Sequence, residues 1–159
     1  MGYIDKNLLD NETLVYWTRR HKIIFALPVL WLLLSISLFA ARFFWVFRPE
    51  IDMVLLVFAI IFAVASVIHG VIVWINYLSA EFGVTNQRVI VKEGFIQRAT
   101  VEVFLRRVES VKVDQSIWGR MLNFGTVVVS GTGGINDPFL MIRRPLEFKR
   151  QVQQQLSRV

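Results

Sequence analysis

Side chains able to do chemistry are sparse in this chain, and those present do not converge on a reaction. The two histidines are His21, in a basic cluster, and His69, inside an apolar run. An ionisable residue within such a run is a functional hypothesis by default. His69, beside Gly70 and one turn from Ser66, could relay a proton or hydrogen-bond a neighbouring helix. No acid shares its run, so the plainer reading is a neutral histidine satisfied by a backbone carbonyl or by water. Glu109, Asp114 and Ser116 lie close together with no histidine nearby to complete a catalytic set. The run GTGG, Gly131 to Gly134, is a poor phosphate cradle. Such a cradle needs Lys followed by Ser or Thr and a helix, whereas Ile135, Asn136, Asp137 and Pro138 follow here, as in a flexible turn. The absence of cysteine excludes disulfides, thiol nucleophiles and Cys-type zinc sites. No catalytic residue, metal or cofactor is expected, and the chain is read as a non-enzyme.

Cations are the remaining candidates. Arg88, Lys92 and Arg98 surround one expected hairpin, Arg106, Arg107 and Lys112 follow it, and Arg19, Arg20 and Lys22 form a collar before the first apolar run. The cytoplasmic leaflet of a membrane attracts nearby positive charge by about 1 kcal/mol per residue. Arg88, Lys92, Arg98, Arg106 and Arg107 are therefore candidate contacts for anionic lipid or for a partner, with a merely solvated basic face as the alternative. Nucleic acid is not expected, because nothing pairs exposed aromatic residues with this charge.

The elements that position these residues divide the chain in two. Apolar residues make up 55% of 159 and the mean hydropathy is +0.52, high for a soluble protein. The excess lies in two uncharged runs, Ile23 to Ala41 with 19 residues and Met53 to Ile75 with 23. At about 1.5 Å per residue the first covers roughly 28 Å, close to the hydrocarbon thickness. Only a helix satisfies its own backbone in lipid, so the two runs read as a transmembrane hairpin. A cleaved signal peptide fits poorly, since the leader holds Asp5, Asp10 and Glu12 and no small-residue cleavage site follows. Lys6, Arg19, Arg20 and Lys22 before the first run outnumber Arg42 and Arg48 in the connection, which favours an inside N-terminus. Two spans return the C-terminus to the same side, so both termini are expected in the cytoplasm.

Residues 78–159 read as a small β domain. SAEFGVT, RVIVKEG, FIQRATVEVFL, RVESVKVDQ with one irregularity, TVVVSG and FLMIRR are strand-like, and Gly94 is placed to supply a positive φ in a turn. SIWGRMLNFG pairs Ile117 with Met121 and Trp118 with Leu122 at helical spacing, a short helix whose Trp118 is expected in the core with Val128. The closing segment has Pro145 at its start, Glu147 in the first turn, and Phe148, Val152, Leu156 and Val159 in a stripe, as in an amphipathic capping helix.

The segments EFGVTNQRVIVKEGFI, RRVESVKVDQSIWGRMLNFGTVVVSG and RRPLEFKRQVQ, with the leader LLDNETLVYWTRRH, resemble the bacterial pleckstrin-homology-like family found in YdbS- and YdbT-type membrane proteins. The resemblance implies seven strands in two sheets with a C-terminal capping helix, tethered to the bacterial inner membrane, and it implies no agreed activity. The basic motif of phosphoinositide-binding PH domains is not matched, since Glu93 and Gly94 follow Lys92. The expected fold class is an α+β membrane protein: a leader at 1–22, a transmembrane hairpin at 23–77, and an antiparallel PH-like domain at 78–159. The function this leaves is a binding or scaffold module for membrane lipid or a protein partner. A homo-oligomer packed through Pro28, Ala59, Ala63, Ser66 and Gly70 is the alternative. A transporter or enzyme subunit ranks last, since two spans alone enclose no path.

Overall fold

A computed structural model describes residues 3–44, 48–94, 99–132 and 135–158. They form two compact units, one of Met1–His21 with Asn76–Val159 and one of Lys22–Ile75. The second unit is a helical hairpin. After helix α1 (Tyr3–Lys6) and strand β1 (Leu14–Arg19), which belong to the other unit, a 3-10 turn at Lys22–Phe25 leads into α2 (Ala26–Phe44), and α3 covers Pro49–Ser79. Both are long and apolar enough to cross a membrane, and only 11% of either apolar window is buried, whereas the core helix of a soluble protein is mostly buried.

Hydrogen bonds, ring contacts and an ion pair tie the two helices of the hairpin together. The Ser35 hydroxyl donates to the Ala59 carbonyl at 2.8 Å and the Ser66 hydroxyl to the Pro28 carbonyl at 2.9 Å. Gly70 lies beside Pro28, and Trp31 stacks on Phe62. Arg42 grips Asp52 through two hydrogen bonds of 2.7 Å, closing the two helices on either side of their connection. Pro28, Ala59, Ser66 and Gly70, expected as contacts between copies, are thus engaged within one chain.

The first unit holds seven strands and a closing helix. The strands are β1, β2 (Glu81–Thr85), β3 (Arg88–Glu93), β4 (Ala99–Phe104), β5 (Val108–Asp114), β6 (Phe124–Gly131) and β7 (Ile135–Arg143). They form a four-stranded sheet in the order β1-β2-β3-β4 and a three-stranded sheet in the order β5-β6-β7, antiparallel throughout. Gly94 has φ 80°, as the turn after β3 demands. Helix α4 (Ile117–Leu122) precedes β6, and α5 (Pro145–Leu156) opens on its proline and buries Phe148 and Val152 against the strands.

Two sequence expectations change here. The leader, read as a segment apart from the domain, supplies β1: Trp17 pairs with Gly83 and Arg19 with Glu81. Ile4 is buried and sits so close to Gly83 that a Cβ there would lie 2.8 Å from its Cδ1, so a side chain at this position would push Ile4 aside. The segment expected as a loop after GTGG is the start of β7, with Pro138 opposite Val128 on an edge strand, the kind of strand in which proline is tolerated. The second half of GTGG lies outside the described residues.

The core lies between the sheets and α5, built from Phe82, Val84, Val89, Val91, Val103, Leu105, Val127, Val129, Phe139, Ile142, Phe148 and Val152. Strand side chains alternate faces, so Val127 and Val129 point inward and Val128, the expected core residue, is only half-buried between them. Phe148→Ala should therefore cost about 3–5 kcal/mol and accelerate amide hydrogen exchange at Val127 and Val129, while Val128→Ala costs a fraction of that. Equal effects of the two would put the core on the wrong face of β6.

Candidate functional site

The basic face expected to meet a ligand is already occupied, by the chain's own leader. Arg88 points from β3 into a buried polar cluster: its Nε and Nη2 donate to the two carboxylate oxygens of Glu12 at 2.9 Å each, Nη2 also to the Asn7 carbonyl, and Nη1 to Glu102. The side chains of Arg88 and Glu12 are 7% and 0% exposed. The Leu9 amide donates to Glu12 at 2.7 Å, and the Thr85 hydroxyl lies 2.7 Å from its other oxygen. Burial pushes the Glu12 carboxyl up, but the hydrogen bonds from Arg88, Leu9 and Thr85 and the charge of Arg88 outweigh it and hold the group below the usual carboxylate range. Lys92 rests its ammonium 4.6 Å from the centre of the Tyr3 ring. Arg88 is thus a structural ion-pair partner rather than a surface contact, a correction to the sequence reading; burying a guanidinium requires a carboxylate, and the leader brings one. Arg98 lies outside the described residues.

Arg106 and Arg107 remain exposed. They sit on a 3-10 turn, Leu105–Arg107, between β4 and β5, because Leu105 turns into the core and forces its neighbours outward. With Asn86, Gln87 and exposed Phe104 they line a cleft of about 600 Å³. Neither makes an ion pair with a described residue. Asn86 and Gln87 form the β2–β3 turn, and the register Glu81↔Lys92 puts the junction with α3 at the other end of that hairpin. The cleft therefore lies on the rim opposite the chain's junctions with the apolar helices.

The collar residues differ from one another. Arg19 lies over the Trp17 ring at 4.5 Å, Arg20 pairs with Glu93 at 2.8 Å, and Lys22 is exposed at the start of the 3-10 turn. His69 is half-buried on α3, one turn from Ser66, whose hydroxyl is spent on Pro28. Among the described residues no three His, Asp or Glu side chains gather to hold a metal ion.

A second surface went unforeseen. Trp118 is not in the core: Ile117, Trp118 and Met121 are 79, 68 and 70% exposed, and Leu122 is exposed beside them. The inward position of α4 is Gly119, where a Cβ would meet the Phe124 carbonyl oxygen at 2.6 Å, so the helix packs through its glycine and turns its apolar side chains out. Ser116 caps its first turn, and Asn123 ends it at φ 59°. Spacing alone told that these residues share a face; Gly119 was the signal for which face is inside.

A family model described as bacterial PH domain matches residues 23–156. No curated protein and no solved structure matches the chain.

Glu12→Ala should cost up to about 3–5 kcal/mol, because it leaves the buried Arg88 with only the more exposed Glu102 to balance its charge. Since the folded state holds the Glu12 proton less tightly than the unfolded chain, the stabilisation is complete above the unfolded value near 4.3 and disappears as pH falls through the lowered folded value. Melting of the detergent-solubilised chain between about pH 6 and pH 3 should slope downward with acid, and less so in Glu12→Gln. Trp118→Ala, by contrast, should shift stability by no more than about 0.5 kcal/mol, as at other exposed sites. A large loss would return Trp118 to the core.

Proposed function

The chain belongs to the bacterial PH domain family, and on that premise we propose that it is a membrane-anchored binding module of the bacterial inner membrane, with both termini in the cytoplasm. Domains of this kind are in general binding modules without catalysis. The hairpin is the anchor, and the β unit offers its far rim, the cleft of Phe104, Arg106 and Arg107, to an acidic protein segment or another anionic partner.

The observation that carries this reading is the contrast among the arginines of the β unit. Arg20 and Arg88 are consumed by Glu93, Glu12 and Glu102, whereas Arg106 and Arg107 stand exposed without an ion pair among the described residues, beside an exposed phenylalanine. Planar guanidinium groups next to an aromatic ring suit carboxylate recognition. The collar Arg19, Arg20 and Lys22 supports the orientation. A homo-oligomer through close helix contact is the runner-up, and it would have to use helix faces other than the one that Ser35, Ser66 and Gly70 already fill.

Two experiments test it. A reporter active only outside the cytoplasm, fused after Val159, should stay silent; strong activity would reverse the topology. A photoreactive residue at Phe104 in cells should form adducts that Arg106→Glu with Arg107→Glu abolishes, while the same residue at Lys149 on α5 should not. Adducts indifferent to the charge reversal would remove the cleft from the function.

A further inference from the structure

Both junctions between the β unit and the apolar hairpin lie on one rim of the unit. Arg19, three residues before the first apolar segment begins at Lys22, is paired with Glu81, two residues after the second ends at Ser79. The same rim carries the end of β7 and the start of β6. Arg20 bridges to Ile142, the His21 amide donates to the Met141 carbonyl at 2.6 Å, and the His21 ring stacks on Phe124 at 5.1 Å. Phe124 follows α4 after the single residue Asn123, and the helix is bolted there: Gln115 donates to the carbonyls of Phe124 and Gly119, and the Arg144 amide donates to the Asn123 carbonyl at 3.0 Å. A bulge between β6 and β7, with Met141 at φ 56°, turns both Leu140 and Met141 to the outside.

The outward apolar side chains of α4 and Met141 therefore stand on the rim from which the chain runs into its apolar helices. Arg120, Arg143 and Arg144 are exposed among them, and none makes an ion pair with a described residue. A tryptophan with aliphatic neighbours and an arginine fringe is the composition that settles at the headgroup level of a bilayer, where a ring finds both apolar and polar surroundings. Positive charge there is complementary to an anionic leaflet. We infer that α4 is a membrane-interface helix: Ile117, Trp118, Met121 and Leu122 enter the headgroup region of the leaflet in which the hairpin is anchored, with Arg120, Arg143 and Arg144 on lipid phosphates. This rests on the hairpin being the anchor. It gives the junction rim of the β unit to lipid and leaves the opposite rim for a partner.

Because the chain has no cysteine, single labels are unambiguous. The full chain carrying Ile117→Cys, Met121→Cys, Leu33→Cys or Arg106→Cys is labelled with a nitroxide and reconstituted at high lipid excess in phosphatidylethanolamine–phosphatidylglycerol vesicles. Collision with oxygen, which prefers lipid, is compared with collision with a water-soluble nickel complex. Labels at 117 and 121 should favour oxygen over nickel, as the label at 33 in α2 does, and the label at 106 should favour nickel. Arg120→Gln with Arg143→Gln and Arg144→Gln should shift the 117 and 121 labels toward water in the anionic vesicles and leave the 33 label unchanged. If 33 reports lipid while 117 and 121 report water, the interface helix is overturned and the anchor stands; if 33 also reports water, both fall. Spin–spin broadening at 121 that vanishes on lipid dilution, leaving an aqueous label, would assign the face to a second copy and overturn the proposal.

Discussion

A carboxylate and a guanidinium, both withdrawn from water, tie the leader to the strands of this molecule's β unit. Neither Glu12 nor Arg88 tolerates burial alone, since an isolated charge in a protein interior costs several kcal/mol even after relaxation. Each is tolerable because the other is there, in a two-bond fork with the Asn7 carbonyl, the Leu9 amide and Thr85 completing the set. The pair is therefore a device for register more than for net stability. It ties a leader that precedes the apolar hairpin to a strand that follows it, and it sets where β1 lies on β2, with Ile4 over Gly83. The pairing of Arg19 with Glu81 at the junction rim belongs to this same alignment.

The same pair explains which features were legible in the sequence. The two apolar helices, the positive φ at Gly94, the proline that opens α5 and the stripe of Phe148 and Val152 rest on rules spanning a few residues, and each appears as expected. The irregularity in RVESVKVDQ is a register shift between Val108 and Ser110. The fate of Arg88 was not legible, because its partner lies on the far side of both apolar segments and no local pattern connects them. Leu14–Arg19 does alternate, with Val15 and Trp17 outward and Thr18 inward, yet six residues beside a basic collar read more easily as part of the collar. Three consecutive valines gave no phase for Val128. At α4 the period was right and the side was wrong: a helix packed through glycine inverts the usual rule that apolar means inside. Of the basic candidates, Arg106 and Arg107 are the pair the fold leaves outside, for the local reason that Leu105 anchors their turn.

The two rims of the β unit thus differ in chemistry. At one, tryptophan, methionine and isoleucine stand out among arginines; at the other, two arginines flank one phenylalanine and two amides. A strand the length of β2 separates them, about 17 Å at 3.4 Å per residue. That span exceeds the Debye length of about 8 Å at physiological salt, so the charge of one rim is screened from the other. Each rim can change without altering the other's field.

The pairing of β1 with β2 also has a consequence for the order in which the protein is made. Leu14–Arg19 leaves the ribosome first, and its partner Glu81–Thr85 follows about sixty residues later, after both apolar helices. At roughly 5–20 residues per second, the nascent first strand waits several seconds with an open edge. The sheet can be completed only once the intervening segment has folded back and brought its two ends together. A folded helical hairpin does that, replacing the closure of a long flexible loop. With the hairpin as the proposed membrane anchor, maturation of the β unit is conditional on insertion. On the same proposal, a copy whose hairpin misinserts is left with an unpaired edge on β2 and with Arg88 uncovered and deprived of Glu12, a form that differs on its surface from the finished protein.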